Sequence, residues 1–152
     1  MKPQEFIDQI ATAAQECHRE FAIPASFTIA QAALESSWGN RAQGCNLFGV
    51  KADKSWKGPV TMVNTHEYVS GQKIAAIDQF RLYADWAECL ADRAAFFRKN
   101  SRYAACFNET TGEGWACAVA AAGYATDPDY ANKLIAVIRG RNLGRFDLQV
   151  AA

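Results

Sequence analysis

One segment with β-strand propensity interrupts a chain whose apolar residues otherwise recur at helical spacing. Between Pro59 and Tyr83, two runs rich in Val, Ile, Tyr and Phe flank the turn residues Ser70-Gly71-Gln72. β-Branched and aromatic residues favour strands, and Ser and Gly favour the tight turn between them. The segment therefore predicts one antiparallel hairpin, with its returning strand at 77–83, inserted into a helical domain.

Helical periodicity and capping residues predict two helices before this hairpin. The first is expected from about residue 4 to 21 and the second from Ser26, as its N-cap, to a stop at Gly39. The apolar stripe of the first helix consists of Phe6, Ile10, Ala13, Cys17 and Phe21.

Capping signals also predict helices after the hairpin. Asp85 and Glu88 match the N-cap and N3 positions of a capping box. A short helical segment and an Ala-rich helix at about 113–122 follow. Asp127 is expected to cap a last helix that has Pro128 at its first position and ends near residue 139. The fold class is therefore α+β and predominantly helical.

Length, composition and charge exclude several classes of protein. The 152 residues fit a single domain, 1–152, with a monomer as the default state. No apolar run approaches the roughly 18 residues that a membrane span requires, which argues against membrane insertion. Sixteen basic residues balance sixteen acidic ones, so no overall field attracts nucleic acid.

The cysteines and histidines predict neither a disulfide framework nor a metal site. The five cysteines are odd in number and lack paired spacing, which fits synthesis in a reducing cytoplasm. The N-terminal residues do not show the pattern of a signal peptide. His18 and His66 lack the spacing of metal ligands, and no cofactor is expected.

Glu35 is the candidate general acid. It follows Leu34 at the edge of an apolar helix face and lies one turn from Gln31. A carboxyl group held against apolar groups keeps its proton to higher pH, because desolvation penalises the charged form. A Glu that holds its proton can protonate a leaving oxygen near neutral pH.

A second carboxylate, Glu67, lies on the predicted hairpin. A hairpin that protrudes from a helical body leaves a groove between the two, and the helix end with Glu35 would face that groove. Glycosidases use a pair of carboxylates on either side of the bond that they cleave. The two residues therefore favour a glycosidase with a sugar chain in the groove.

Four segments, in this order and spacing, are similar to those of glycoside hydrolase family 73. They are Ala30–Gly39, Asn46–Lys51, Thr65–Tyr68 and Gly123–Ala131. The resemblance covers about residues 3 to 140. It implies a lysozyme-like fold and hydrolysis of the β-1,4 bond between N-acetylglucosamine and N-acetylmuramic acid in peptidoglycan.

The resemblance also implies roles for three residues. Glu35 corresponds to the catalytic acid, Glu67 to a second carboxylate, and Tyr124 to an aromatic residue that lines the cleft near the acid. A buried Tyr124 would need a partner for its phenol, which the carboxyl group of Glu35 would supply. Either Glu67 activates water in an inverting reaction, or the acetamido group of the substrate attacks with Glu67 or a tyrosine assisting.

Four further residues are predicted to contact glycan. The rings of Trp56, Tyr68 and Phe48 present flat apolar area to a sugar face. Asn46 either holds its loop through side-chain bonds to the backbone or donates to an acetamido group.

The family's usual fusion partners and a signal sequence are absent from the sequence. This favours a phage endolysin that reaches the periplasm when the cell lyses, with an injected antibacterial effector as the alternative. A lytic transglycosylase or a muramidase on the same glycan, and a non-catalytic wall-binding module, are the competing interpretations.

Overall fold

The computed structural model describes residues 1–149, which form a helical body with one protruding hairpin. The predicted domain 1–152 extends three residues beyond this range. The elements are α1 (Pro3–Phe21), α2 (Ala25–Ser36), β1 (Val60–Val69), β2 (Gln72–Arg81), α3 (Trp86–Lys99), α4 (Gly112–Ala121) and α5 (Tyr130–Gly140), with 3-10 helices at Ser101–Asn108 and Leu143–Phe146.

The core is built around α2, which is buried continuously from Ala25 to Ala33. On one side, Phe27 packs against Phe97 of α3 and Trp115 of α4, with ring centroids 6.0 and 5.4 Å apart. A helix that is enclosed on all sides needs a largely apolar sequence all round. The predicted α+β, predominantly helical fold with one antiparallel hairpin is confirmed.

The hairpin is longer on its returning side than the sequence predicts. Strand β2 begins at Gln72, five residues before the predicted Ile77, and Val69 pairs directly with Gln72. The two turn residues, Ser70 and Gly71, have φ values of 51° and 78°. Two consecutive left-handed residues match the twist of paired strands and allow this two-residue connection.

The two faces of the hairpin have different environments. Alternate residues of β1 (Thr61, Val63 and Thr65) are half-buried, whereas the residues between them are exposed. Since side chains alternate along a strand, one face is partly covered and the other faces solvent. The outer face carries Met62 and Ile77, which are 68% and 67% exposed.

Two helix starts differ from the prediction. Ser26 is not an N-cap, because α2 begins at Ala25 after Pro24. Its backbone N–H and hydroxyl instead donate to the two carboxylate oxygens of Asp147, both at 2.7 Å. Helix α5 begins at Tyr130, two residues late, because the side chain of Asp127 accepts from the backbone N–H of Asp129 and holds a turn there.

All five cysteines are free thiols. Cys17 and Cys89 lie in the core, and burial raises the pKa of each thiol to about 12. Cys117 is exposed on α4. No helix within residues 1–149 has the length and apolar character needed to cross a membrane.

Candidate active site

Glu35 lies in the last turn of α2, and the hydroxyl of the next residue, Ser36, makes the hydrogen bonds that close this end of the helix. The hydroxyl of Ser36 donates to the carbonyl of Ala32 at 2.6 Å and accepts from the N–H of Gly39 at 2.8 Å. Ser37 then turns the chain with a φ of 52°. The side chain of Glu35 is exposed. The expectation that the carboxyl group of Glu35 is buried against apolar residues is therefore wrong. The buried part of α2 includes Ala33 and Ser36 but not Glu35, which is exposed to solvent.

The hydroxyl of Tyr130 holds the carboxylate of Glu35 from one side. It donates to Oε1 of Glu35 at 2.8 Å and accepts from Nε2 of Gln31 at 3.1 Å. Tyr130 is 5% exposed, and burial raises the pKa of its phenol, so the hydroxyl keeps its proton. Because the amide of Gln31 is a donor, it directs the phenol proton toward Glu35.

Tyr130 is a site residue that the sequence did not single out. Its only signal was its position in the segment Gly123–Ala131, which contains two tyrosines. Tyr124, the one chosen, stacks on Tyr130 with ring centroids 5.5 Å apart and planes at 22°. Within residues 1–149, the hydroxyl of Tyr124 makes no hydrogen bond to Glu35; Tyr130 takes that position. A role for Tyr124 in the chemistry stays a prediction.

Arg93 of α3 lies behind this pair of tyrosines. Its guanidinium carbon is 4.7 Å from the ring centroid of Tyr124 and 4.6 Å from that of Phe48. Burial lowers the pKa of the guanidinium to about 10, a shift that Tyr130 and Glu35 oppose. The side chain therefore remains a cation at neutral pH.

Glu67 lies near the tip of the hairpin, paired with Ile74 and exposed. It shares a face with Thr65, which belongs to the partly covered side of the hairpin. Tyr68 points to the opposite, outer face and is 73% exposed. The register thus separates two residues that were both predicted at the site. The role of Glu67 stays a prediction.

Asn46 holds its loop and does not reach the surface. It is 1% exposed. Its amide donates to the carbonyls of Val50 and Arg81 at 2.9 and 3.0 Å, and its oxygen accepts from the N–H of Val50 at 3.0 Å. The prediction that Asn46 contacts the substrate is therefore wrong, because both protons of its amide already form hydrogen bonds to backbone carbonyls.

Trp56 and Phe48 are partly buried and pack against the core, and their contacts with sugar stay predictions. The indole N–H of Trp56 donates to the carbonyl of Pro59 at 2.8 Å. The guanidinium of Arg81 lies 5.0 Å from the Trp56 ring centroid, and Tyr83 meets the ring edge-on. Phe48 is half-buried beside Arg93. Trp56 therefore ties its loop to the base of the hairpin.

A polar network fixes the base of the hairpin to α3. Asp92 accepts from Nη1 of Arg81 at 2.8 Å and from the hydroxyl of Tyr83 at 2.5 Å. Nε of Arg81 donates to the carbonyl of Lys51 at 3.1 Å. Because two nitrogens of the Arg81 guanidinium donate to different acceptors, the network fixes the orientation of this side chain as well as its distance from α3. It sets the orientation from which β1 and β2 protrude.

The residues present offer no cluster of metal ligands. Within residues 1–149, no group of three or more His, Cys, Asp or Glu side chains is placed to hold a metal ion. The chemical groups gathered at the end of α2 are instead a solvent-accessible carboxylate, a protonated phenol and a cation. This set is suited to proton transfer.

The chain is similar over most of its length to a peptidoglycan hydrolase and an exo-glucosaminidase. It is 41% identical over 143 residues to the peptidoglycan hydrolase FlgJ of Salmonella typhimurium, a match that covers 90% of this chain and 45% of that protein. It is 35% identical over 152 residues to the exo-glucosaminidase LytG of Bacillus subtilis, covering 95% of this chain and 53% of that protein. The chain thus spans about half the length of these relatives.

The fold is also found in a solved structure. The C-terminally truncated glycoside hydrolase domain of Salmonella typhimurium FlgJ matches with a TM-score of 0.84 and 39% identity, covering 93% of this chain and 98% of that one. These matches define a glycosidase domain of the kind found in peptidoglycan hydrolases. The sequence profile described as mannosyl-glycoprotein endo-beta-N-acetylglucosaminidase matches residues 11–143. The chain belongs to this glucosaminidase family, glycoside hydrolase family 73, as its four sequence segments had indicated.

Proposed function

We propose that this domain hydrolyses the β-1,4 bond between N-acetylglucosamine and N-acetylmuramic acid in peptidoglycan, with Glu35 as general acid. The observation that carries the proposal is the carboxylate of Glu35, open to solvent at one oxygen and held at the other by Tyr130. With Oε1 occupied, Oε2 is the oxygen that carries a proton to the bridging oxygen of the glycan. A general acid contributes a rate factor of ~10²–10⁴.

Glu67 is the proposed second carboxylate. It lies on the partly covered face of the hairpin, on an element fixed at its base by Arg81 and Asp92. As a base it would activate the water that attacks the sugar from the opposite side, an arrangement that places the two carboxyl groups ~6.5–9.5 Å apart. If the substrate's acetamido group attacks instead, Glu67 orients that group and the product retains its configuration. Proton NMR of the first-formed anomer separates the two routes.

Digestion of purified peptidoglycan tests the proposal. Reducing N-acetylglucosamine ends, identified by mass spectrometry, are expected. Reducing N-acetylmuramic acid would identify a muramidase, anhydromuramic acid a transglycosylase, and an absence of products a binding module. Each of these results would contradict the assignment.

The variant Glu35→Gln tests the role of the acid directly. We expect it to fold and to lose ~10²–10⁴ in kcat, since the amide has no proton to donate to the leaving oxygen. The matched control is Glu16→Gln on α1, an exposed residue of the same type. Turnover by Glu35→Gln equal to that of the control would refute the role of Glu35.

For the biological role we propose a phage endolysin that acts as a monomer on the wall in the periplasm. The similarity to a peptidoglycan hydrolase supports the wall as the target of this role. Cells that express the chain in the cytoplasm are expected to lyse only when a pore-forming protein is co-expressed. Glu35→Gln should abolish that lysis. Intact cells under co-expression of the wild type would contradict the proposal.

A further inference from the structure

Arg93 is half-buried, and its guanidinium has no hydrogen-bond or ion-pair partner among the described residues. Its Nε and Nη2 atoms are buried and make no hydrogen bond. None of the ion pairs in residues 1–149 includes it. Buried donors are normally satisfied, and an unpaired buried charge is costlier still. An exception of this kind indicates a group that a ligand completes.

Aromatic rings fix the position of this cation. The guanidinium carbon lies 4.6, 4.7, 5.0 and 5.1 Å from the ring centroids of Phe48, Tyr124, Phe96 and Phe97, respectively. The ring faces offset part of the desolvation of the charge and restrict its movement. Rings, however, supply no hydrogen-bond acceptor in the plane of the guanidinium, so its need for an anion remains.

The cation borders an open cavity of about 230 Å³. The cavity is lined by Phe48, Gly49, Val50, Arg81, Asp92, Arg93 and Phe96. Asp92 is the carboxylate among these residues, and it is already engaged by Arg81 and by the hydroxyl of Tyr83. The lining therefore carries one excess positive charge, that of Arg93. Its Nη1 is not among the buried unpaired atoms, which leaves this nitrogen open to a ligand.

We propose that Arg93 binds a carboxylate of the peptide stem that peptidoglycan carries on its muramic acid units. The inference rests on the proposed function and specifies its substrate as a glycan strand with an acidic stem. Nη1, the guanidinium nitrogen that is not buried, can donate a charge-assisted hydrogen bond to a carboxylate oxygen. Binding it would give the guanidinium a direct ion pair, which no side chain in residues 1–149 forms with it.

The position of Arg93 relative to Glu35 agrees with this substrate. A continuous path leads from the carboxylate of Glu35 to the hydroxyl of Tyr130, across the stacked ring of Tyr124 and on to Arg93. From the sugar ring, a lactyl, an alanyl and an acidic residue together extend about 10 Å. The ring centroids of Tyr130 and Tyr124 lie 5.5 Å apart, and the guanidinium carbon of Arg93 lies 4.7 Å from the Tyr124 centroid, so each step of this path is shorter than the stem.

A pair of substrates that differ only in charge tests the inference. Soluble glycan strands with L-alanyl-D-glutamyl stems are prepared with free carboxylates or with the carboxylates converted to primary amides. Wild-type protein is expected to cleave the acidic strand with a kcat/KM about tenfold higher, the effect of one charged hydrogen bond. Arg93→Gln is expected to cleave both strands equally. Arg102→Gln, which removes the same charge from an exposed position, should keep the wild-type preference.

Two results would overturn the inference: a wild type without preference, or Arg93→Gln with the full preference. If no variant cleaves either strand, the proposed function fails, and a second measurement still decides the role of Arg93. The Nε–H resonance of Arg93 in wild-type protein is followed by NMR during titration with N-acetyl-L-alanyl-D-glutamate and with its diamide. A shift with the acid alone supports the carboxylate site, and equal or absent shifts refute it. The same titration decides the matter if Arg93→Gln does not fold.

Discussion

The hydroxyl of Tyr130 joins the buried interior of α2 to its exposed carboxylate. It accepts from Gln31, which is 1% exposed, and donates to Glu35. Glu35 alone, at the outer edge of a helix end, could adopt several rotamers in solvent. The hydrogen bond selects one of them, so that the acid is held in position before substrate arrives.

Tyr130→Phe is expected to lower kcat by about tenfold to 10², because small displacements of a positioned group have costs of this order. KM should change little, since the ring remains stacked on Tyr124. The free energy of unfolding should fall by ~1–3 kcal/mol, because the amide of Gln31 loses its buried acceptor. Steady-state kinetics and urea unfolding measure the two effects.

Tyr103→Phe is the control for this variant. Tyr103 is 3% exposed and packs edge-on against Phe97, and its hydroxyl makes no hydrogen bond within residues 1–149. It should keep wild-type kcat. If Tyr130→Phe also did so, Glu35 would not depend on the phenol.

At the scale of single residues, the sequence singled out Glu35 and Glu67 as candidates but did not predict their surroundings. Glu35 was recognisable because a local helical segment surrounds it. The exposure of Glu35 was not predictable from the sequence, because it depends on how α5 packs against α2. Tyr124 was singled out by the resemblance, whereas the hydrogen bond of Tyr130 to Glu35 joins residues 95 positions apart and has no local signal in the sequence.

At the scale of elements, the hairpin is the part most separable from the core. Its residues are exposed or half-buried, and none is fully buried. The sequence predicted it well because strand and turn propensities are local. The longer β2 was missed, since Gln72–Ala76 is paired through the backbone and lacks an apolar pattern. Such an element can open without unfolding the helical body.

Gly71→Ala should loosen this hairpin selectively. Gly71 has a φ of 78° in open surroundings, and an L-residue in that conformation costs ~1–2 kcal/mol. We expect faster amide hydrogen exchange in β1 and β2, a nearly unchanged melting temperature of the body, and a lower kcat/KM, because Glu67 lies close to the turn.

The matched variant is Gly140→Ala at the end of α5, where a Cβ meets nothing within 4 Å and no unusual φ is required. It should leave hydrogen exchange in the hairpin and kcat/KM unchanged. Unchanged exchange in Gly71→Ala as well would contradict the view that the turn governs the stability of the hairpin.

At the scale of the whole molecule, the C-terminal segment holds the first two helices together. Asp147 accepts from the N–H and the hydroxyl of Ser26 at the start of α2. Nδ1 of His18 accepts from the backbone N–H of Ala25 at 3.3 Å and of Leu148 at 3.2 Å. These long-range contacts could not be predicted from local pattern, which assigned Ser26 to a cap.

This connection makes stability depend on pH through His18. An imidazole can accept at Nδ1 only while that nitrogen is unprotonated. Burial lowers the pKa of His18 below its usual 6.5, and the opposing effect of Asp147 is smaller. Because the unfolded chain binds the proton more readily, the contribution of His18 is complete above pH 6.5 and is lost as the pH falls through the lowered pKa. The melting temperature of the wild type should therefore decrease over this interval.

Comparison of the two histidines isolates this effect. His66 is exposed on the outer face of the hairpin. His66→Asn should show the same decrease in melting temperature below pH 6.5 as the wild type. In His18→Asn the decrease should be smaller, because this variant lacks the imidazole that becomes protonated. Parallel curves for the wild type and His18→Asn would show that His18 does not control the connection. Since α2 begins at this connection and carries Glu35 in its last turn, loosening the connection in acid should also lower kcat in the wild type more steeply than in His18→Asn.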